Sequence, residues 1–153
     1  LVLQIQLIVE YHDFQYAYYT IKYSKVLHRE DGPALIYNDG TKHWYRYGRL
    51  HRLGGPAAEW ESGTMEWCVN GRYHREDGPA VERSNGGKEW WIDGKRHRVD
   101  GPAIISGGGE IMWCLNNKCY TKEEWFEALT PEQQQMALFS GYFKTRITYE
   151  AKK

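Results

Sequence analysis

The segment YHREDGPAVE, Tyr73 to Glu82, sets an imidazole, a guanidinium and the carboxylates of Glu76 and Asp77 beside a Gly-Pro step. Residues of these types can do chemistry. A histidine oriented by an acid acts as a general base, and histidines with carboxylates ligate metals. Either role requires one unique constellation, so the first test is whether the segment recurs.

It is one of four copies. HREDGPA begins at His28, HRLGGPA at His51, HREDGPA at His74 and HRVDGPA at His97, each 23 residues after the last. Trp44, Trp67, Trp90 and Trp113 keep the same step, as do Pro33, Pro56, Pro79 and Pro102. A degenerate half-unit, YYTIKYSKVL, precedes His28. A motif present once per unit is the mark of stacked units rather than of a reaction centre. Gly54, standing where the other units carry Asp31, Asp77 and Asp100, weakens the chemical reading further. The expectation is a protein with no catalytic residue, no cofactor and no metal, hence no enzyme.

Other chemistries fare no better. His28, His51, His74 and His97 would lie roughly 10 Å apart on successive hairpins, whereas zinc needs its ligands within about 2.3 Å of one centre. Cys68 and Cys114 face no predicted histidine that could activate a thiol. SGGGE, Ser106 to Glu110, resembles a phosphate loop only in glycine and lacks the Lys-Ser/Thr that would follow; it reads as a hairpin turn.

The elements that carry the motif follow from its turn residues. Each unit has a first turn (Asp39-Gly40, Ser62-Gly63, Asn85-Gly86, Gly108-Gly109) and a second (Tyr47-Gly48, Asn70-Gly71, Asp93-Gly94, Asn116-Asn117). Such pairs suit two-residue type I′ loops, and Gly-Pro bends or ends the strand between them. With two-residue loops the register is fixed: Arg46 pairs with Arg49, Tyr45 with Leu50, Trp44 with His51, Trp67 with His74 and Trp90 with His97. The histidine is then expected as ring partner of the tryptophan, with Glu66 meeting Arg75 and Glu89 meeting Arg98 on the other face. Trp44, His51, Trp67, His74, Trp90 and His97 are the expected structural residues. Leu35, Ala58, Val81, Ile104, Val69, Ile92 and Leu115 are assigned to the buried tryptophan face. Tyr45, Cys68, Trp91 and Cys114 fall on the opposite, charged face. Tyr45, Arg52, Tyr73, Arg75, Trp91 and Arg98 are the candidate partner-binding residues, as aromatic and arginine side chains on a ribbon surface suit protein contact.

After Lys118 the pattern changes. Thr121 with Glu124, and Thr130 with Pro131 and Gln133, mark two capped helices. These would cover the open edge of the last hairpin, and could also carry self-association. The fold class expected is mainly β: an elongated meander of 23-residue hairpin repeats capped by short C-terminal helices. It divides into N-terminal strands and half-repeat (1–27), four repeats (28–119), and a helical cap and tail (120–153). The last turn sets Cys114 opposite Cys119, close enough to oxidise within one monomer; a reducing cytosol would keep both thiols free. Cys68 stays unpaired in either case.

Bulk properties narrow the setting. The 153 residues carry 20 Lys plus Arg against 20 Asp plus Glu, which gives no net attraction to nucleic acid or membrane. Aromatics reach 15 %, with 7 Trp, 12 Tyr and 16 Gly, as a turn-rich β chain requires. LVLQIQLIVE alternates like a strand and lacks the basic flank of a signal peptide. No run is long enough for a membrane span, and three cysteines favour a reducing compartment. The reading is a soluble cytoplasmic protein, with a native start that can lie upstream of Leu1.

The glycine turns, NGRYHREDG and DGKRHRVDG, and the 23-residue step resemble MORN repeats. With His-Arg-x-Asp-Gly-Pro-Ala after the turn, the chain looks like the variant KEWWxNGKxHRxDGPA repeat of tailed-bacteriophage and giant-virus proteins, from Val26 to about Tyr120. The resemblance implies a β-hairpin scaffold used for protein contact, sometimes with lipid contact, and no enzyme. A viral factor acting on a host defence or regulatory protein, in the host cytoplasm, is the expectation it supports. A module sequestering a small ligand or nucleotide is the alternative, and a nucleic-acid-contacting accessory protein the second. Glu66 and Glu89 among the arginines count against both.

Overall fold

The computed structural model describes residues 7–12, 16–21 and 26–142. It is mainly β, with two short helices, Lys122–Glu127 (α1) and Pro131–Phe139 (α2), at the C-terminal end. Eleven strands form one antiparallel meander, running in chain order from Leu7–His12 and Tyr16–Ile21 to Ile111–Leu115 and Lys118–Tyr120. The order is linear, so the sheet does not close into a barrel. Three further hairpins, Tyr45–Arg46 with Arg49–Leu50, Cys68–Val69 with Arg72–Tyr73, and Trp91–Ile92 with Lys95–Arg96, form ladders of their own. Each unit therefore contributes a sheet hairpin and a side hairpin.

The two hairpins use different turns. In the side hairpins both central residues have positive φ, as in Asn70 (51°) with Gly71 (80°), which is the two-residue type I′ loop read from the sequence. The sheet hairpins differ from that reading. Tyr37 N donates to Thr41 O and Gly40 N to Tyr37 O, so three residues close the loop, and only the last, Gly40 (φ 95°), is left-handed. Gly63, Gly86 and Gly109 repeat this arrangement. It is a type I turn ending in a glycine bulge.

Register in the side hairpins agrees with the sequence expectation: Arg46 pairs with Arg49 and Tyr45 with Leu50, and His51 N donates to Trp44 O at 3.0 Å. Trp44 N meanwhile donates to Ala57 O of the sheet at 2.8 Å, and Trp67 and Trp90 do the same to Ala80 and Ala103. The strand thus changes ladders at each tryptophan. Ala34, Ala57, Ala80 and Ala103 beneath this crossover are fully buried.

The crossover corrects the expected faces. Leu35 pairs with His43, Ala58 with His43 and Glu66, and Val81 with Glu66 and Glu89, so these apolar residues share a side with His43, Glu66 and Glu89 rather than with the tryptophans. Cys68 and Cys114, expected on the charged outer face, are 3 % and 0 % exposed. Val69, Ile92 and Leu115, expected in the core, are only half-buried. Simple alternation assumes one flat ladder. Here the chain bends out of it once per unit.

Successive side hairpins are clasped to one another. The Nδ1 atoms of His28, His51, His74 and His97 accept from the amides of Tyr47, Asn70, Asp93 and Asn116 at 3.1–3.2 Å, each the first residue of the next type I′ turn. Beside each clasp, Leu27, Leu50 and Tyr73 carbonyls accept from Gly48, Gly71 and Gly94 at 2.8 Å. Val26–Leu27, the end of the half-unit, supplies the first of these contacts as a full unit would.

At the other end both capping boxes form, Thr121 with Glu124 and Thr130 with Gln133. Trp125, Leu129 and Ala137 of this cap pack on Trp113 as a buried cluster. Cys114 and Cys119 occupy the expected opposed positions, with Cα atoms 4.0 Å apart, and are joined in a disulfide rather than free. Cys68 is unpaired. No described helix is long and apolar enough to cross a membrane.

Candidate interaction surface

Each residue of the repeated motif has an assignment, and the arginine is its centre. The guanidinium carbons of Arg52, Arg75 and Arg98 lie 4.0, 4.0 and 3.8 Å from the ring centroids of Trp44, Trp67 and Trp90. The same guanidiniums donate to the carbonyls of Pro56, Pro79 and Pro102 at 3.0–3.2 Å. Arg75 Nε reaches Asp77 at 2.9 Å, and Arg98 Nε reaches Asp100 at 2.7 Å. Arg52 and Arg75 also bond Glu59 and Glu82, both at 2.9 Å. A side chain at Gly78 would put its Cβ 3.0 Å from the guanidinium carbon of Arg75. Glycine there leaves room for the arginine, and the proline carbonyl receives it.

The tryptophan's partner is therefore the arginine, not the histidine. A two-residue turn sets the histidine directly opposite, but its ring is drawn to the first amide of the next type I′ turn, 19 residues on. The flat guanidinium one residue on stacks over the indole, a contact that desolvation strengthens. The acids are redistributed too. Glu66 accepts from Tyr73 Oη (3.0 Å) and Trp60 Nε1 (3.2 Å), and Glu89 accepts from Trp91 Nε1 at 3.1 Å and from Arg83.

The six candidate partner-binding residues consequently separate into two groups. Arg52, Arg75 and Arg98 lie with the tryptophans. Tyr73 and Trp91 lie with Glu66 and Glu89, their rings 5.5 Å apart, and Tyr45 lies edge-on to the buried His43. Burial raises the Tyr73 phenol, with Glu66 adding to the effect, and burial likewise raises Tyr45. Burial pushes the Cys68 thiol up to about 12, so this cysteine is a weak nucleophile.

The arginine group lines a row of clefts. The first, about 660 Å³, lies between the Arg29–Pro33 loop and His51–Leu53, against Trp44. The second, about 430 Å³, lies between Arg52–Pro56 and His74–Asp77, against Trp67 and Val69. The third, about 570 Å³, lies between Arg75–Pro79 and His97–Asp100, against Trp90 and Ile92, with Met136 at its edge. Each combines a half-buried indole, guanidiniums and acids. Hydrogen bonding from Arg75, then its charge, holds the Asp77 carboxyl below its usual range, so the cations are already partnered. Sequence reasoning placed these tryptophans in the core and missed Leu53 (73 % exposed) and Met136 (55 % exposed). The signal available was the constant eight-residue step from Trp44 to Arg52, Trp67 to Arg75 and Trp90 to Arg98.

No protein-family model matches the chain, and no curated protein matches it.

Proposed function

We propose that this chain is a non-enzymatic, MORN-like repeat scaffold that binds a protein, and that it acts as a viral factor binding and inhibiting or redirecting a host protein in the host cytoplasm. The observation that carries the binding reading is the row of three equivalent clefts, each backed by an indole that is only half-buried. A scaffold repeats one contact surface along its length, and aromatic and arginine side chains are the residues that anchor protein interfaces. The viral setting rests on the resemblance of the His-Arg-x-Asp-Gly-Pro-Ala unit to phage and giant-virus repeats. The arginines are each tied to a carboxylate or a proline carbonyl, which supports protein contact over phosphate capture.

The test is photo-crosslinking from a benzoylphenylalanine placed at Leu53, in host lysate, followed by mass spectrometry. One host protein should be captured from this position and not from a probe at Lys42 on the sheet. Capture of nucleotides or nucleic acid instead, or a turnover activity abolished by a single substitution that leaves the fold intact, would overturn the proposal.

A further inference from the structure

The fourth unit supplies what the first three clefts lack. By the 23-residue step, a fourth cleft should lie beyond the Arg98–Pro102 loop, against Trp113. The place is filled. Trp125 of α1 enters it, fully buried, with its ring centroid 4.6 Å from that of Trp113. Its Nε1 donates to the Arg98 carbonyl at 3.0 Å. Tyr142 meets Trp113 edge-on at 6.3 Å and sits 5.2 Å from the Arg98 guanidinium, which also lies 3.8 Å from the Trp90 ring. Trp113 is 5 % exposed, whereas Trp44, Trp67 and Trp90 are half-buried.

We infer that the three open clefts are seats for aromatic side chains carried by a helix of a protein partner, each taking a ring against its arginine-capped indole at the place that Trp125 fills in the fourth. This rests on the protein-binding reading and names the partner's chemistry. The second and third open clefts share with the fourth an arginine stacked on the preceding indole (Arg52 on Trp44, Arg75 on Trp67) and that arginine's backbone carbonyl. Their own indoles carry a further guanidinium (Arg75 on Trp67, Arg98 on Trp90) where the fourth unit has Thr121, so an incoming ring meets an arginine-capped indole. Among the described residues, no group donates to the Arg52 or Arg75 carbonyls, so the acceptor that Trp125 uses is available in the second and third clefts.

Spacing selects the occupant. Two sheet strands per unit set successive clefts about 10 Å apart, and seven helical residues advance about 10.5 Å while returning to nearly the same face. A helix lying along the row therefore presents rings at i, i+7 and i+14. The rims specify the rest. Glu30 and Glu76 at the cleft mouths are 68 % and 84 % exposed in their side chains, and Leu53 stands between the first and second clefts. The residues between the partner's aromatics should be basic.

The experiment uses the full chain and a synthetic alanine-lysine helix with three tryptophans seven residues apart, titrated by fluorescence anisotropy. Saturable binding is expected. Affinity should fall at least about tenfold when the tryptophans are moved to five-residue spacing, when they become leucines, and when the chain carries Leu53→Asp with an unchanged melting temperature. Absence of binding, equal affinity at both spacings, or tighter binding of an extended peptide with tryptophan at every third residue would each overturn the inference. So would self-association of the chain lost in Leu53→Asp, which would put a second copy in the clefts. A host protein crosslinked from the scaffold whose capture ignores Leu53→Asp would overturn the seats and leave the scaffold standing. Peptide binding without any host protein captured would do the reverse.

Discussion

In the second unit Gly54 occupies the place that Asp77 fills in the third. Gly54 sits at φ 77° and offers Arg52 no carboxylate. Arg52 nevertheless lies as far from Trp44, 4.0 Å, as Arg75 does from Trp67, and both retain their proline carbonyl and glutamate. The aspartate is thus an accessory to the clamp. Indole, glycine clearance and proline carbonyl are what position the arginine, and so what shape the clefts.

The largest expected effect comes from removing the clearance. Gly78→Ala would set a Cβ 3.0 Å from the Arg75 guanidinium carbon, which must give by a few tenths of an ångström, costing about 1–3 kcal/mol by overpacking, read as a shift in the urea midpoint. Gly55→Ala should cost less, since Arg52 lacks the aspartate tether and can swing away. Equal losses would show that the aspartate does not restrain the arginine.

Next come Arg75→Met and Arg52→Met, each expected to cost about 1–2 kcal/mol from the lost stack and hydrogen bonds. The two values should agree closely. A much larger loss at Arg75 would make Asp77 a principal support and break the comparison.

Acid should then separate the clasps from the carbonyl-held amides. Burial holds His43 and His97 below the usual imidazole range. The unfolded chain binds protons first, so their contribution to stability is complete above about pH 6.5 and is lost as pH falls through the lower folded values. Once protonated, His97 Nδ1 presents a hydrogen to the Asn116 amide it had accepted from. Hydrogen exchange of the Asn116 amide should therefore accelerate only as pH falls well below 6.5, whereas an amide held by a carbonyl, such as that of Trp90 on Ala103 O, should show no such step; a step shared by both would refute the assignment.

The smallest effect is Asp77→Gly, which converts the third unit's loop to the second's. Its carboxylate is exposed, and exposed pairs contribute little. The urea midpoint should stay unchanged within error.

Much of this was legible in the sequence because it depends on counting. The 23-residue step, the type I′ turns, the opposition of Cys114 and Cys119, and the boxes at Thr121 and Thr130 follow from residue type at fixed offsets. The sheet turns were misjudged because Asp-Gly and Asn-Gly serve equally as a two-residue loop and as the end of a glycine-bulge loop. Faces were misjudged because Trp44, Trp67 and Trp90 hand the strand from one ladder to another, an event with no mark in hydrophobic alternation. The clefts were missed for a related reason. Register says which residue lies opposite, but not whether a ring or a guanidinium reaches across the diagonal. Trp125 stood outside the repeat, where nothing in the spacing tied it to Trp113.

The histidine clasps also bear on how the chain acquires its structure. Each joins residues 19 apart in sequence, and the carbonyl contacts beside them span similar distances, so no unit waits for a partner far along the chain. Contacts this local keep loop-closure entropy low and favour rapid, stepwise assembly. During synthesis each hairpin pair can dock on its predecessor soon after it emerges, and Trp125, reached last, seals the growing end. Until then every newest tryptophan is exposed. Chains interrupted before Trp125 would present a bare Trp113 edge, and such chains should be the species that aggregate or recruit chaperones.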